Sequence, residues 1–188
     1  MDITFDEITD NILRELEKTQ KEFWNVSRKT GFLLNTFIKM MNCKSVLEIG
    51  TSNGYSGLWI AKALKVTGGR LTTIEYFDKR QSVAEKNFKK CGVADIVRFL
   101  QGSACKVIEA LGEDEKFDFV LIDANKSEYY DYFKLIKPHL YDKACILADN
   151  ITSHLEKVQP FIDAVDADSD FQYEIIDADG GILVAYKG

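Results

Sequence analysis

The sequence predicts an α/β fold built around a doubly wound, mostly parallel sheet. Three observations support this prediction: short apolar segments alternate with amphipathic ones, a glycine-containing turn follows the first apolar segment, and the alternation ends in two consecutive strand patterns. The chain has 188 residues, which is enough for one domain with a substantial core and short for two. We therefore expect a single domain over residues 1–188.

Composition limits the classes of partner. The chain carries 24 Lys and Arg residues against 30 Asp and Glu residues, a formal net charge of −6. The basic residues are scattered, so no basic stripe indicates a nucleic-acid surface, although an RNA substrate stays open. The N-terminus is acidic and lacks the basic start and apolar run of a signal peptide, and no segment approaches membrane-spanning length. We expect a cytoplasmic protein without membrane contact.

The cysteines give no sign of a metal or disulfide framework. They are widely separated, with no C-x-x-C pair and no histidine at zinc-site spacing. We expect reduced and mostly buried thiols at Cys43, Cys91, Cys105 and Cys145.

Two helices are predicted before the first strand, as lid helices over about residues 4–41. The first should pack one face on the domain, made of Phe5, Ile8, Ile12 and Leu16 at helical spacing. Ser27 suits the N-cap of the second helix. That helix should turn four side chains towards the core: Phe32, Leu33, Phe37 and Met40.

Seven segments are strand-like: 45–49, 70–75, 96–100, 117–123, 144–149, 171–176 and 182–186. Helical patterns separate the first five, near 55–64, 79–90, 104–111 and 127–137, as parallel strands require. Residues 177–181 are too few for a crossover helix, so the last strand should run antiparallel. Pro160 lacks a backbone donor, so the helix before the sixth strand should begin near Gln159 or be kinked there.

The turn after the first strand, Gly50-Thr51-Ser52-Asn53-Gly54, predicts a ligand site at a helix N-terminus. It lacks both the G-x-G-x-x-G spacing that admits a pyrophosphate and the Lys-Ser/Thr ending of a P-loop. Glu48, just before it, would repel phosphate and attract an ammonium or sulfonium group. Glu75, closing the second strand, suits a ribose diol. Together they favour S-adenosylmethionine over a dinucleotide, and a purely structural turn is the alternative.

Four motifs then occur in order: Leu47-Glu48-Ile49-Gly50-Thr51-x-x-Gly54-Tyr55-Ser56, Thr73-Ile74-Glu75, Phe117-Asp118-x-x-Leu121-Ile122-Asp123-Ala124-x-Lys126 and Ala148-Asp149-Asn150. Over about residues 22–188 the chain resembles the divalent-cation-dependent O-methyltransferase family that includes catechol and caffeoyl-coenzyme A O-methyltransferases. The resemblance implies a class I methyltransferase fold, a Rossmann-like three-layer sandwich with seven strands, the last antiparallel.

The resemblance also implies S-adenosylmethionine as the cofactor, held by Val26, Glu48, Gly50, Ser52, Ser56, Glu75, Ala104 and Asp123. In this pattern Glu48 meets the methionine ammonium, Ser56 the methionine carboxylate and Glu75 both ribose hydroxyls. Residues 102–104 would touch the base, which Tyr76 and Phe77 would cover. Trp24 is a candidate wall of the substrate pocket, with a packing role as the alternative.

Asp123, Asp149 and Asn150 come from neighbouring strand ends and offer three hard oxygen ligands, which suit Mg²⁺ or another hard divalent cation. The family uses these positions as metal ligands, whereas on their own they could be turn and capping residues. Lys126 matches the family's catalytic lysine, which implies a general base.

The predicted activity is methyl transfer to a hydroxyl of a catechol-like or other vicinal-diol small molecule. The alternatives are a hydroxylated nucleoside in tRNA as acceptor and a non-catalytic adenosyl-binding module. Residues 151–154 lack the glycine-containing substrate loop of many family members, which leaves the acceptor and a possible homodimer open. His154 is expected to be an exposed loop residue, with a pocket-facing base as the alternative.

Overall fold

A computed structural model describes residues 5–178 and 180–188. Within these ranges the strands are β1 (Ser45–Ile49), β2 (Arg70–Glu75), β3 (Val97–Gln101), β4 (Phe117–Ile122), β5 (Leu140–Ala148), β6 (Phe171–Ile176) and β7 (Ile182–Lys187). The helices are α1 (Glu7–Lys18), α2 (Gln20–Phe23), α3 (Arg28–Met40), α4 (Tyr55–Thr67), α5 (Asp78–Lys90), α6 (Ala104–Glu109), α7 (Tyr129–Ile136) and α8 (Leu155–Asp166). Short 3₁₀ turns cover Ala94–Ile96, Lys126–Glu128 and Lys137–His139.

The strands form one sheet in the order β3-β2-β1-β4-β5-β7-β6. Strands β1 to β5 pair in parallel, and β7 lies antiparallel between β5 and β6. The predicted mostly parallel sheet with an antiparallel last strand is therefore confirmed. The central strands β1 and β4 are almost entirely buried, as expected where helices cover both faces of a parallel sheet. Thr4 of the predicted lid range and Asp179 of the predicted last turn lie outside the described residues.

Strand β5 begins at Leu140, four residues before the predicted start at Ala144. The missed residues Tyr141, Asp142 and Lys143 are exposed, and Lys143 has φ of 67°. Opposite them the register with β4 shifts, because Phe117 pairs with Leu140 while Phe119 pairs with Cys145. This bulge explains why no apolar or alternating pattern marked the first part of the strand.

Helix α1 is capped by Asp6, whose carboxylate accepts the Thr9 backbone N–H at 3.0 Å. Its fully buried positions are Thr9 and Leu13, and Ile12 is partly buried. Ile8 is exposed, so its predicted inward orientation is wrong. The inward face of α1 is centred on Thr9 and Leu13, which places Ile8 on the solvent side of the helix.

Helix α3 begins at the predicted cap, since the Ser27 hydroxyl accepts the Thr30 N–H at 3.1 Å. It packs against α4 and buries both apolar and polar residues: Thr30, Gly31, Leu34, Asn35 and Ile38. Met40, predicted to point inwards, is exposed, because the buried face of α3 follows Gly31, Leu34 and Ile38. Gly31 permits the close approach to Trp59, and the Asn35 amide donates to the Trp59 carbonyl at 2.8 Å.

Helix α8 runs through Pro160, so of the two predicted alternatives the helix start near Gln159 is wrong, and a kink at the proline stays a prediction. An internal proline removes one backbone hydrogen bond and costs about 3 kcal/mol. Phe161, Ile162 and Val165 on this helix are buried, and each apolar side chain of this size stabilises by about 1.5–3 kcal/mol. Their burial therefore outweighs the local cost of the proline.

The prediction for the cysteines is confirmed. Cys43, Cys91 and Cys145 are buried and Cys105 is partly buried, and none of the four is paired in a disulfide. Burial raises the pKa of the Cys43 and Cys145 thiols to about 12, so both stay protonated near neutral pH.

Across the described ranges no helix is both long enough and apolar enough to cross a membrane.

The contact between Gly31 and Trp59 gives a stability prediction. A Cβ at residue 31 would lie 2.5 Å from the indole Nε1, so Gly31→Ala should lower the free energy of unfolding by about 1–3 kcal/mol despite the better helix propensity of alanine. Gly112→Ala is the matched control, because its Cβ would make only ordinary contacts and should change stability by less than about 0.5 kcal/mol. Urea unfolding measures both. Equal stabilities of the two variants would contradict the close packing of α3 on α4.

Candidate functional site

A cavity of about 1010 Å³ opens at the carboxyl ends of the parallel strands, where doubly wound sheets bind ligands. All the predicted site residues except Glu48 line it: Val26, Gly50, Ser52, Ser56, Glu75, Ala104, Asp123, Lys126, Asp149 and Asn150. Residues predicted at strand ends and residues predicted at helix N-termini therefore line the same cavity.

Glu48 lies behind the cavity wall and is fully buried. Its carboxylate accepts the Ser56 hydroxyl at 2.5 Å and the Thr73 hydroxyl at 2.6 Å. Thr51 and Thr73 extend this network, with their hydroxyl oxygens 2.5 Å apart. Burial raises the pKa of Glu48 to about 7, although the two hydroxyl donors oppose that shift. Ser56 is thus the wall residue through which Glu48 reaches the cavity.

Glu75 is held rigidly at the end of β2. Its carboxylate accepts the backbone N–H of Ser52 at 2.7 Å and that of Phe77 at 2.9 Å. Ser52 has φ of 49° and its hydroxyl donates to the Phe23 carbonyl at 2.9 Å. The turn after β1, the carboxylate of Glu75 and the end of α2 are therefore one hydrogen-bonded unit on the cavity wall.

Gly50 brings two segments of the site together. Its φ is 107°, and a Cβ there would overlap the carbonyl oxygen of Asp123. Only glycine fits, because both the backbone conformation and the available space exclude a side chain. The backbone N–H of Asp123 also donates to the Ile49 carbonyl at 3.0 Å, which fixes the end of β4 against the end of β1.

The predicted metal ligands lie at the ends of neighbouring strands. Asp123 follows β4, and Asp149 and Asn150 follow β5, where the Asp149 N–H donates to the Ile122 carbonyl at 3.1 Å. Two carboxylates and one amide form a hard-oxygen donor set that fits a divalent cation such as Mg²⁺. Residues 5–178 and 180–188 contain no group of three or more His, Cys, Asp or Glu side chains placed to hold a metal ion, so such a site depends on the amide of Asn150.

Lys126 lies beside the candidate ligands. Its Nζ is 2.6 Å from Asp123 Oδ1 and 5.5 Å from the centroid of the Tyr129 ring. The side chains of Lys126 and Asp123 are only 16% and 13% exposed, so this ion pair is shielded from solvent. The Tyr129 hydroxyl bonds to the carbonyls of Ile122 and Asp149, which ties α7 to the ends of β4 and β5.

The mouth of the cavity is aromatic. Trp24, Tyr76 and Phe77 are exposed there, and the guanidinium of Arg80 lies 4.7 Å from the Trp24 ring and 5.5 Å from the Phe77 ring. Trp24 is thus a wall residue at the mouth and not a core residue. The sequence did not predict a role for Arg80, because a basic residue in a charged helix usually faces solvent. Its position shortly after the aromatic residues Tyr76 and Phe77 could have indicated a cation–ring contact.

His154 is an exposed residue, as predicted, and it also lines the cavity. Its Nδ1 is 3.0 Å from the Ser153 hydroxyl, which in turn donates to the Asn150 carbonyl at 3.3 Å. The imidazole is therefore linked through Ser153 to the backbone of a candidate metal ligand.

Two further residues that the sequence did not indicate line the cavity. Glu128 ends the 3₁₀ turn Lys126–Glu128, and Tyr132 follows one helical turn later on α7. The Tyr132 hydroxyl donates to Glu128 at 2.5 Å, and Tyr132 is almost fully buried. The sequence did not indicate either residue, because both fit an ordinary amphipathic helix pattern. Their spacing does not show that a buried tyrosine hydroxyl binds the glutamate.

The sheet order and a cavity at the ends of β1, β2, β4 and β5 define the class I methyltransferase fold. The model of the O-methyltransferase family matches residues 3–158, most of the chain, so the chain belongs to the O-methyltransferase family. The predicted fold class and the predicted family are both confirmed.

Two relatives and one solved structure illustrate the similarity. A catechol O-methyltransferase from Niastella koreensis is 36% identical over 129 residues, 68% of this chain and 58% of that protein. Caffeoyl-CoA O-methyltransferase 1 from Eucalyptus globulus is 36% identical over 128 residues, 65% of this chain and 51% of that protein. The chain thus matches only about half of each curated relative's length. The crystal structure of an O-methyltransferase from Streptomyces achromogenes, in complex with S-adenosylmethionine, superposes with a TM-score of 0.85 and 26% identity over 98% of this chain and 91% of the other.

The burial of Glu48 predicts a pH effect on stability. Its pKa is about 7 in the folded chain against an ordinary value of 4.5, so the unfolded chain loses this proton first as the pH rises. Stability from Glu48 is present below about pH 4.5 and is lost as the pH rises to about 7, on the order of 3 kcal/mol in all. In Glu48→Gln, the free energy of unfolding should decline less between pH 5 and pH 8 than in the wild type. The measurement is urea unfolding of the ligand-free chain, with the exposed Glu109→Gln as control. Parallel pH profiles for all three proteins would rule out a raised Glu48 pKa.

Proposed function

We propose that the chain is an S-adenosylmethionine-dependent, Mg²⁺-dependent O-methyltransferase that methylates a hydroxyl of a catechol-like or other vicinal-diol small molecule. The observation that carries this proposal is the shared cavity. It joins the Glu75 carboxylate at the end of β2 to the set of Asp123, Lys126, Asp149 and Asn150 at the ends of β4 and β5. A site for the methyl donor and a site for activating a hydroxyl would thus lie side by side.

The cofactor assignment follows the order of the strands. Ser56, backed by Glu48, would bind the methionine end at α4, and Glu75 would accept hydrogen bonds from the ribose diol. Ala104, after β3, would lie beside the base. No part of this wall presents a glycine-rich pyrophosphate cradle, which favours a cofactor without phosphate. The S-adenosylmethionine complex of the Streptomyces enzyme supports the same cofactor here.

The acceptor would bind next to Lys126. Asp123, Asp149 and Asn150 would hold the divalent cation, which supplies Lewis acidity that lowers the pKa of an acceptor hydroxyl. Lys126 would be released from its ion pair with Asp123 when that carboxylate binds the cation, and its free amine would then take the hydroxyl proton as general base. S-adenosylmethionine, held by Ser56 and Glu75, would supply the methyl group to the acceptor oxygen, with S-adenosylhomocysteine as the other product. The shielded walls would hold the two reactants at attack distance and exclude water.

We also propose that the enzyme is cytoplasmic, that residues 1–188 form one domain with α1 to α3 as its lid, and that it can assemble as a homodimer. The names of the relatives, catechol and caffeoyl-CoA O-methyltransferase, support a small hydroxylated acceptor over a nucleoside in RNA.

Transfer of a labelled methyl group from S-adenosylmethionine tests this function. The wild type should methylate catechols or hydroxycinnamoyl thioesters with Mg²⁺, should lose at least about 100-fold in rate with excess chelator, and should leave bulk tRNA unlabelled. Asp149→Ala should show the same loss with Mg²⁺ present while still binding S-adenosylhomocysteine. Full activity in chelator would refute the metal role, and labelling of tRNA alone would replace the acceptor class. Cofactor binding without transfer to any acceptor would favour a non-catalytic module.

The ribose role of Glu75 has its own test. Glu75→Gln should weaken S-adenosylhomocysteine binding by about 10–100-fold, because charge-assisted hydrogen bonds to the diol contribute about 1.5–3 kcal/mol. Isothermal titration calorimetry measures the affinity. Glu109→Gln makes the same change of charge at an exposed position and should bind like the wild type. Unchanged affinity in Glu75→Gln would disprove the assignment.

A further inference from the structure

The proposed reaction leaves unused one carboxylate on the cavity wall, that of Glu128. The hydroxyl of Tyr132 donates to its Oε2 at 2.5 Å, and Tyr132 is only 2% exposed. Glu128 is thereby fixed in one orientation by a buried donor, unlike a surface glutamate that moves freely. Both residues line the cavity.

Glu128 lies apart from the Lys126 side of the site. In a 3₁₀ turn each residue advances about 120°, so side chains two positions apart point in different directions. Lys126 points to Asp123, whereas Glu128 lies near α6, where burial and then the charge of Glu128 raise the pKa of the Cys105 thiol. Helix α6 packs against both α7 and β2.

That location is next to the ribose site. The N–H of Gly102 donates to the backbone carbonyl of Glu75 at 2.9 Å, so the wall from Gly102 to Ala104 begins beside the residue whose carboxylate would hold the ribose. A nucleoside held by Glu75 would extend its base along this wall towards α6. The side chain of Ala104 offers no polar group, whereas Glu128 offers only hydrogen-bond acceptors.

We propose that Glu128, positioned by Tyr132, accepts a hydrogen bond from the exocyclic amine of the cofactor's purine and so selects adenine over an oxo-purine. This rests on the proposed function, because it assumes an adenosyl cofactor with its ribose at Glu75. An amine donates to the carboxylate, whereas the oxo group of hypoxanthine would place an acceptor against an acceptor. A site that leaves buried polar groups mispaired discriminates strongly against the wrong ligand.

The test compares S-adenosylhomocysteine with S-inosylhomocysteine, which carries hypoxanthine, by isothermal titration calorimetry. The wild type should prefer the adenosyl ligand by about 10–100-fold. Glu128→Gln should reduce this preference to less than about 5-fold, because an amide donates to an oxo group as well as accepting from an amine. Tyr132→Phe, which removes only the positioning hydroxyl, should give an intermediate preference. Glu109→Gln, an exposed change of the same charge on α6, should keep the wild-type preference.

The outcomes separate the two proposals. If the wild type binds neither ligand, the adenosyl cofactor and this inference both fail. If the wild type binds S-adenosylhomocysteine but shows no preference, or if Glu128→Gln keeps the full preference, only the role of Glu128 is overturned. The wild-type preference needs no variant, and melting temperatures show whether each variant is folded. A loss of affinity for both ligands in equal proportion would indicate a merely structural effect and would also overturn the inference.

Discussion

The site depends on one close backbone approach, that of Gly50 to Asp123. A side chain at residue 50 would overlap the Asp123 carbonyl, so the ends of β1 and β4 meet only because this position is glycine. Through this contact the turn that would hold the methionine part of a cofactor lies against the segment that carries Asp123 and Lys126. The sheet itself would therefore bring the proposed methyl-donor and acceptor sites together.

A second constraint is the burial of acidic groups around that contact. Glu48 is fully buried and Glu75 nearly so, and each is kept in place by donors from neighbouring segments. Nearby carboxylates, among them Asp123 and Glu75, add to the burial that raises the Glu48 pKa. A cation that enters the cavity would relieve this repulsion. The same acidic environment that costs stability in the empty chain therefore favours a positively charged ligand.

The sequence predicted the parts of the fold that depend on continuous patterns. Buried parallel strands such as β1 and β4 appear in the sequence as mostly apolar runs. The ends of β2, β4 and β5 were predicted closely enough to place Glu75, Asp123 and Asp149 at strand ends. It failed where tertiary packing decides. Helical spacing alone did not fix which side of α1 faces the core, so Ile8 was misassigned, and Met40 at the end of α3 failed for the same reason. Arg80 and Glu128 were missed because the sequence pattern does not show the contacts that these residues make in the folded chain. Arg80 lies over the Trp24 ring, and Glu128 accepts a hydrogen bond from the Tyr132 hydroxyl.

Different segments of the fold hold the two sides of the proposed site. The proposed cofactor side consists of strand ends and helix starts that are tied into the sheet. The proposed acceptor side includes His154, which follows a segment tied to the last turn: the Ile151 N–H donates to the Gly181 carbonyl at 2.9 Å and the Thr152 N–H to the Gly180 carbonyl at 2.8 Å. A Cβ at Gly181 would come within 2.7 Å of Thr152, so this contact too requires glycine. Because backbone hydrogen bonds to the last turn hold this segment, we expect its exposed side chains, Thr152, Ser153 and His154, to vary with the acceptor while the Gly50 and Glu75 contacts stay as they are. Ile151 is fully buried and should not vary in this way.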